Sequence, residues 1–240
     1  MLLTTSKGKV DVIQKGKGKD ILLLHGFLSS KETFVHQISF LSNFYKVTAI
    51  DILGFGKSDK ISYPYSVDDY VDLVVEVMDK IKINKSSVIA HSFGGRIAVK
   101  LASKTDRVDK LLLTGCAGVR LKKSLKVYFK IYSYKLLNKF ISREKLLKKF
   151  ASSDYQNLNE IERQSFKLVE SEDLRECMRK IQAETLILSG EKDKATPPKS
   201  QRIINNCIFG SELILMKNAG HFAFIDKPYE FNLIAKEFFS

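Results

Sequence analysis

Short apolar runs of strand length recur along the chain and alternate with segments of helical periodicity. A continuous run of four to eight apolar residues suits a strand buried on both faces, as in parallel sheets covered by helices. Such runs occur at Asp20–Leu24, Tyr45–Ile50, Ser87–Ala90, Lys110–Thr114, Thr185–Ser189 and Leu213–Met216, after weaker strand patterns at Leu2–Thr5 and Lys9–Lys15. The alternation predicts an α/β fold with a largely parallel sheet.

Helical patterns fill most of the intervals between these strands. They cover Lys31–Leu41, Val67–Ile83, Phe93–Ser103, Pro197–Asn206 and Lys227–Phe239. Ser66 precedes the second helix and Asp69 follows three residues later, which is the pattern of a capping box. These helices are expected to cover the two faces of the sheet.

The alternation stops between residues 119 and 182, where no buried-strand run occurs. This segment is predicted to form helices at Leu121–Phe140, Arg143–Phe150, Leu158–Val169 and Glu172–Ile181, with Asn157 (paired with Glu160) and Ser171 as N-caps. A chain of 240 residues suits one domain with an insertion. We therefore predict a core formed by residues 1–118 and 183–240 and an inserted helical cap at 119–182.

The net charge of +13 is concentrated in the predicted cap. Residues 120–149 contain 11 Lys or Arg and one acid, and apolar residues recur at helical spacing between the lysines of Leu121–Phe140. We interpret this as a basic amphipathic helix whose apolar face covers the site. Contact with a membrane surface is the less favoured interpretation, and attraction of an acidic substrate is a third. Lysine dominates and no groove-reading motif is present, so no nucleic-acid partner is expected.

Several patterns indicate a cytoplasmic protein without a bound metal or cofactor. The N-terminus lacks the charged start and long apolar region of a signal peptide. The three cysteines (Cys116, Cys177 and Cys207) are odd in number and lack metal-ligand spacing, so neither a disulfide framework nor a metal site is expected. The sequence leaves the oligomeric state open.

The stretch from Ser87 to Ala98 combines a strand, a serine and a helix in immediate succession. In a nucleophile elbow, such a turn lifts the serine hydroxyl above the sheet, and the positions two before and two after the serine must be small. Ala90 and Gly94 occupy these positions around Ser92. Ser92 is therefore the candidate nucleophile, although the usual first glycine is replaced by Ala90.

A serine nucleophile needs a base, and the base needs an acid that fixes its tautomer. Of the four histidines, His221 lies just after the last predicted strand, on a loop where an open α/β sheet places its site. Asp193 and Glu191 both follow the preceding strand. We choose Asp193, because three residues past the strand end give the loop room to turn toward His221.

Hydrolysis through a serine also needs preorganised N–H donors for the oxyanion. Phe93 follows the candidate nucleophile, and Phe27 belongs to the His25-Gly26-Phe27 loop after an early strand. The backbone N–H groups of Phe27 and Phe93 are therefore the candidate oxyanion hole.

Five motifs together resemble the α/β-hydrolase fold superfamily, in particular its small capped serine hydrolases of the carboxylesterase type. They are His25-Gly26-Phe27, the loop from Asp51 to Ser58, the elbow from Ala90 to Gly95, Gly190-Glu191-Lys192-Asp193 and Gly220-His221-Phe222. The resemblance implies an eight-stranded, mostly parallel sheet with a helical cap after the sixth strand. It also implies a triad of Ser92, His221 and Asp193, and it disfavours the dehalogenases and epoxide hydrolases that carry Asp as nucleophile.

The first hypothesis is hydrolysis of a small, hydrophobic carboxylic ester through an acyl-enzyme on Ser92. The second is C–C bond hydrolysis, or a cofactor-free lyase reaction, with the same triad. The third is a ligand-binding member of the fold without catalysis, since a fold alone does not establish a function.

Overall fold

The computed structural model describes residues 1–121 and 157–240, and in this part of the chain eight strands form one sheet. The strands are β1 (Leu2–Thr5), β2 (Gly8–Lys15), β3 (Asp20–Leu24), β4 (Lys46–Ile50), β5 (Ser86–His91), β6 (Val108–Thr114), β7 (Glu184–Gly190) and β8 (Glu212–Met216). Their spatial order is β1-β2-β4-β3-β5-β6-β7-β8. The β1–β2 and β2–β4 pairs are antiparallel and the other pairs are parallel. The predicted α/β fold with a mostly parallel, eight-stranded sheet is confirmed.

Helices cover both faces of this sheet. In the described residues the helices are α1 (Val35–Leu41, after a 3₁₀ turn at Lys31–Phe34), α2 (Val67–Lys80), α3 (Phe93–Lys104), α4 (Glu160–Ser171), α5 (Arg175–Met178), α6 (Pro198–Cys207), α7 (Ala223–Asp226) and α8 (Pro228–Phe239). One apolar core contains residues of α2, α3 and α6, and a second core on the opposite face contains residues of α1, α7 and α8. The central strands β3, β4, β5 and β7 are buried on both faces, which explains their continuous apolar runs.

Helix α2 begins as predicted and ends three residues early. Ser66 and Asp69 form the expected capping box, in which the Ser66 hydroxyl accepts from the Asp69 N–H. Lys82 adopts a φ of 59°, and the buried Ile83 donates its N–H to the Met78 carbonyl. This left-handed residue turns the chain back onto the helix end, so that Ile83 joins the core instead of extending the helix.

The described part of the predicted cap differs from the sequence pattern in its helix ends. Helix α4 is capped by Asn159 with Glu162 instead of Asn157 with Glu160, so it starts two residues later than predicted. Ser171 ends this helix and is not an N-cap. The helix predicted at Glu172–Ile181 is reduced to α5, because Leu174 N–H bonds to the Gly118 carbonyl and fixes an irregular segment.

The predicted helices Leu121–Phe140 and Arg143–Phe150, and with them the basic amphipathic segment, lie almost entirely outside the described residues. The boundaries of the cap at 119 and 182 remain a prediction. Of the helices within 1–121 and 157–240, none is long and apolar enough to cross a membrane.

Candidate active site

Ser92 lies in a strained turn between β5 and α3. Its φ of 50° and ψ of −107° fall in a region that L-amino acids rarely adopt, at a typical cost of about 1–3 kcal/mol. The close approach of α3 to β3 leaves no room at Gly94, where an added Cβ would lie 2.2 Å from the Leu24 carbonyl oxygen. The Gly94 N–H donates to the His25 carbonyl, which fixes the turn against the loop after β3. This geometry is that of the elbow expected from the sequence.

Asp193 and His221 are in direct contact at the ends of β7 and β8. The Asp193 Oδ2 lies 2.8 Å from His221 Nδ1, and the Asp193 side chain is fully buried. Asp193 also accepts hydrogen bonds from the N–H groups of Ala195 and Thr196 and from the Thr196 hydroxyl. Burial alone would raise the pKa of Asp193, but the hydrogen bonds from His221 and Thr196 outweigh it and hold the pKa below its usual value. The carboxylate is therefore ionised and orients the His221 ring.

The other candidate acid does not reach the histidine. Glu191 is exposed, and its Oε2 accepts from the Asn218 N–H at the edge of the same loop. Contact geometry therefore brings Asp193, and not Glu191, to His221, and the catalytic role of Asp193 stays a prediction.

Two of the remaining histidines are buried and neutral. Burial lowers the pKa of His25 to about 4 and that of His91 to about 3. His25 Nε2 accepts from the Ile52 N–H, which leaves the proton on Nδ1, beside the Gly26 carbonyl. His91 Nε2 lies 3.1 Å from the His221 carbonyl oxygen, so it carries the proton and donates it. Both rings brace loops around Ser92, and neither is placed to act as a base.

The His91 side chain packs between the Ser92 turn and the loop that contains His221. Its ring centroid lies 4.7 Å from that of His221 and 4.8 Å from that of Phe222. As expected for the residue next to Ser92, its side chain turns to the opposite face of the sheet, where it packs against Phe224. The described chain contains no hydrogen bond between Ser92 and His221, and such catalytic contacts commonly tighten only when substrate is bound.

The two candidate oxyanion donors lie beside Ser92. Phe27 and Phe93 line the same cavity as Ser92, and their rings are 5.9 Å apart. Within the described residues, neither backbone N–H donates a hydrogen bond to another backbone group. The Phe93 N–H is free for a simple reason: it belongs to the first turn of α3, where no intrahelical acceptor exists. Both groups are available to an incoming oxygen.

A cavity of about 720 Å³ opens next to Ser92. Its apolar lining comes from the core loops and from α4 and includes Phe27, Phe93, Val119, Leu121, Phe166 and Val169. Among the described residues its charged lining consists of Arg96, Arg120, Lys167 and Glu170, an excess of two positive charges. The site can therefore take an apolar group and has a positive potential near one wall.

Cys116 lies beside this cavity and is fully buried. Burial raises the pKa of its thiol to about 12, so the thiol stays protonated and is a poor nucleophile. Its Sγ packs against Gly95, where an added Cβ would lie 2.6 Å away. Among the described residues, no group of three or more His, Cys, Asp or Glu side chains is arranged to hold a metal ion.

Three polar residues at the site were not singled out from the sequence. Thr196 holds the carboxylate of Asp193, Gln201 bridges the Cys116 and Thr196 carbonyls, and Arg96 reaches the end of α4. The spacing Asp193-x-x-Thr196 is an Asx-type turn signal that could have identified Thr196. Arg96 lies four residues after Ser92, about one helical turn, and this spacing predicts that the two residues lie on the same side of the helix.

Comparison with known proteins identifies the family. The family model described as "alpha/beta hydrolase fold" matches residues 20–119 and 117–228. The chain is 24% identical to the AB hydrolase superfamily protein YisY of Bacillus subtilis, over 93% of this chain and 92% of that protein.

Two solved structures share the fold at low identity. A meta-cleavage product hydrolase (CumD) from Pseudomonas fluorescens superposes with a TM-score of 0.79 at 24% identity, covering 100% of this chain and 97% of that one. A thermophilic esterase from Thermogutta terrifontis gives a TM-score of 0.76 at 18% identity, covering 100% and 97%. At these sequence identities the two structures show the shared fold and nothing about the activity. The family model spans the elbow, the Asp193 loop and the His221 loop, and the chain therefore belongs to the α/β hydrolase fold family, which makes it a hydrolase by family.

Proposed function

We propose that the protein is a serine hydrolase that cleaves a small carboxylic ester through an acyl-enzyme on Ser92. The observation that carries this proposal is the 2.8 Å contact between His221 Nδ1 and the buried Asp193 carboxylate, next to a serine in a strained elbow. A histidine held in this way presents Nε2 as the base, and the elbow exposes the hydroxyl that the base must deprotonate.

The proposed reaction has two halves. Ser92 Oγ attacks the ester carbonyl carbon while His221 Nε2 takes the hydroxyl proton, and the developing oxyanion accepts hydrogen bonds from the N–H groups of Phe27 and Phe93. His221 then returns the proton to the leaving alcohol. Water, deprotonated by His221, attacks the acyl-enzyme, and the carboxylic acid leaves as Ser92 recovers its proton.

The same residues are suited to C–C bond hydrolysis, which is the second candidate. The name of the structural neighbour CumD, a meta-cleavage product hydrolase, favours this candidate. The name of the Thermogutta terrifontis esterase favours ester hydrolysis. Product analysis with an ester and with a dienoic diketo acid distinguishes the two reactions, because only the second breaks a carbon–carbon bond.

Covalent labelling with a fluorophosphonate tests the proposal directly. We expect labelling of the parent protein, none in Ser92→Ala and strongly reduced labelling in His221→Ala. His36→Ala is the matched control, because His36 is exposed on α1 and should leave labelling unchanged. Absence of labelling in the folded parent would overturn the proposal and favour a non-catalytic, ligand-binding member of the family.

A further inference from the structure

Arg96 is a buried cation on the wall of the candidate active site. It lies on α3 four residues after Ser92, so the two residues are neighbours along one side of the elbow and helix. The residue is 7% exposed, and it lines the same cavity as Ser92. A buried guanidinium on the same cavity as Ser92 needs a physical explanation, because burying a charge is costly unless the charge is paired.

The hydrogen bonds of Arg96 use only part of its guanidinium. Nη1 donates to the carbonyl oxygens of Val169 and Glu172, both at 2.9 Å, at the C-terminal end of α4. Nε and Nη2 have no hydrogen-bond partner among the described residues. A few side-chain nitrogen and oxygen atoms of the described residues are both fully buried and without a hydrogen-bond partner, such as Arg175 Nε. Arg96 Nε and Nη2 are not among these fully buried atoms. Nε and Nη2 are therefore not fully sealed from solvent, and the cavity beside Ser92 is an open space that Arg96 lines.

No carboxylate in the described chain forms an ion pair with Arg96, although those of Glu170, Glu172 and Asp173 lie near enough to oppose the lowering of its pKa by burial. Glu172 contacts it through its backbone carbonyl, while the Glu172 carboxylate is bound to Lys100 Nζ. Lys100 Nζ also forms an ion pair with the carboxylate of Asp68. The acids nearest to Arg96 are therefore committed to other cations or lie at the exposed rim, as Glu170 does. Among the described residues no carboxylate contacts the guanidinium directly, and that position is open to a ligand in the cavity.

We propose that Arg96 binds a carboxylate of the substrate, so that the preferred ester carries a second, free acidic group, as a half-ester of a dicarboxylic acid does. This inference rests on the proposed function and specifies its substrate class. The Nε–Nη2 edge of a guanidinium presents two parallel donors, which match the two oxygens of a carboxylate. Arg120 and Lys167 on the same cavity lining add to the positive potential.

The position of Arg96 also limits the length of the substrate. Four residues of helix correspond to about 6 Å along the axis, and Arg96 lines the same cavity as Ser92. The free carboxylate is therefore expected a few bonds from the scissile carbonyl, as in succinate or glutarate half-esters, rather than at the end of a long acyl chain.

A pair of matched esters tests the proposal. One is monoethyl glutarate; the other is an ethyl ester of the same length in which an isopropyl group replaces the carboxylate. Acid release is followed in a pH-stat, and the measured quantity is the ratio of kcat/KM for the anionic ester to kcat/KM for the neutral ester. The ratio cancels any general effect of losing the two bonds from Arg96 to the end of α4.

In Arg96→Gln we expect the ratio to fall by about 10- to 100-fold, because a charge-assisted bidentate contact is lost. Arg96→Lys should recover part of the ratio, since it keeps the charge but not the paired donors. Lys17→Gln is the control: it removes an exposed charge in the connection between β2 and β3, which does not line the cavity, and should change the ratio less than about threefold. An unchanged ratio in Arg96→Gln would mean that Arg96 only anchors α4, and would overturn the proposal.

A binding measurement separates this inference from the proposed function. In the Ser92→Ala background, calorimetric titration with monoethyl glutarate should give a dissociation constant that rises about tenfold or more when Arg96→Gln is added. Equal binding with and without Arg96, or no binding, overturns the inference. Failure of the proposed function is recognised independently, by absence of fluorophosphonate labelling in the parent protein.

Discussion

Single residues at this site are held by several groups at once. Asp193 illustrates this: four donors from His221, Ala195 and Thr196 surround its carboxylate, so a fully buried charge stays ionised. Thr196 makes two of these contacts, through its N–H and its hydroxyl, and its Oγ1 lies 3.3 Å from His221 Nδ1. In the proposed reaction Thr196 is a positioning residue, because it contacts the Asp193 carboxylate that orients His221.

Removing the Thr196 hydroxyl should weaken the acid–base pair. In Thr196→Val we expect kcat for an ester to fall by about 10-fold with little change in KM, since a hydrogen bond to a charged group is worth about 1.5–3 kcal/mol. Thr196→Ser keeps the hydroxyl and is the control, with activity within a few-fold of the parent. Steady-state kinetics measure kcat and KM for each variant. A change in KM alone would show that Thr196 contacts the substrate and does not act through Asp193.

At the scale of elements, a buried ion cluster holds the strands and loops on one side of the site together. Lys31 Nζ contacts Asp11 Oδ2 on β2 at 2.7 Å and Asp51 Oδ2 after β4 at 2.9 Å. The Lys31 N–H also donates to Asp51 Oδ1, which fixes the start of the 3₁₀ turn that follows the Phe27 loop. Gly56 has a φ of 56° and packs directly on Asp51, where an added Cβ would lie 2.3 Å from the carboxylate.

Breaking this cluster should cost stability. Lys31→Met leaves the fully buried Asp51 without its cation, and we expect the free energy of unfolding to fall by about 3–5 kcal/mol. Lys57→Met is the matched control, because the Lys57 side chain is 75% exposed and its contact with Glu32 is 3.7 Å long; its effect should stay below about 0.5 kcal/mol. Urea unfolding measures both. Equal effects of the two substitutions would contradict a role for the buried cluster.

At the scale of the whole molecule, the two cores on either side of the sheet seal titratable groups away from water. Burial lowers the pKa of His25 to about 4 and that of His91 to about 3, whereas an unfolded histidine has a pKa of about 6.5. Between these values the unfolded chain binds protons that the folded protein does not. Stability therefore rises with pH in this window and falls as the pH drops below about 6.5.

This linkage predicts acid sensitivity. Between pH 6 and pH 5 the two histidines should together lower the free energy of unfolding by about 2–3 kcal/mol, since each contributes up to about 1.4 kcal/mol per pH unit. Asp193, whose pKa is lowered, adds a further loss only below about pH 4. Urea unfolding across this range measures the slope. His25→Gln should reduce the slope by nearly half, whereas the exposed His36→Ala should not; identical slopes would refute the assignment.

The sequence by itself determined the centre of the sheet, because strands buried on both faces must be continuously apolar and can be recognised by that pattern. The edge strands β1 and β2 have weaker patterns, since part of each strand is exposed. All eight strand positions were predicted, as were the elbow and the start of α2. The need for a small residue at Gly94 could also be predicted from the elbow pattern, and the close approach of α3 to β3 excludes any larger residue there.

Only the tertiary structure decided which side chains meet. Local pattern could not distinguish Asp193 from Glu191, because the choice depends on how two loops from β7 and β8 converge. Nor could it show that α2 ends at Lys80, where burial of Ile83 competes with helix extension. The same holds for Arg96. Helical spacing places it near Ser92, but its burial and its bonds to α4 arise from contacts between segments far apart in sequence. Such contacts depend on packing between distant elements, which no local pattern records.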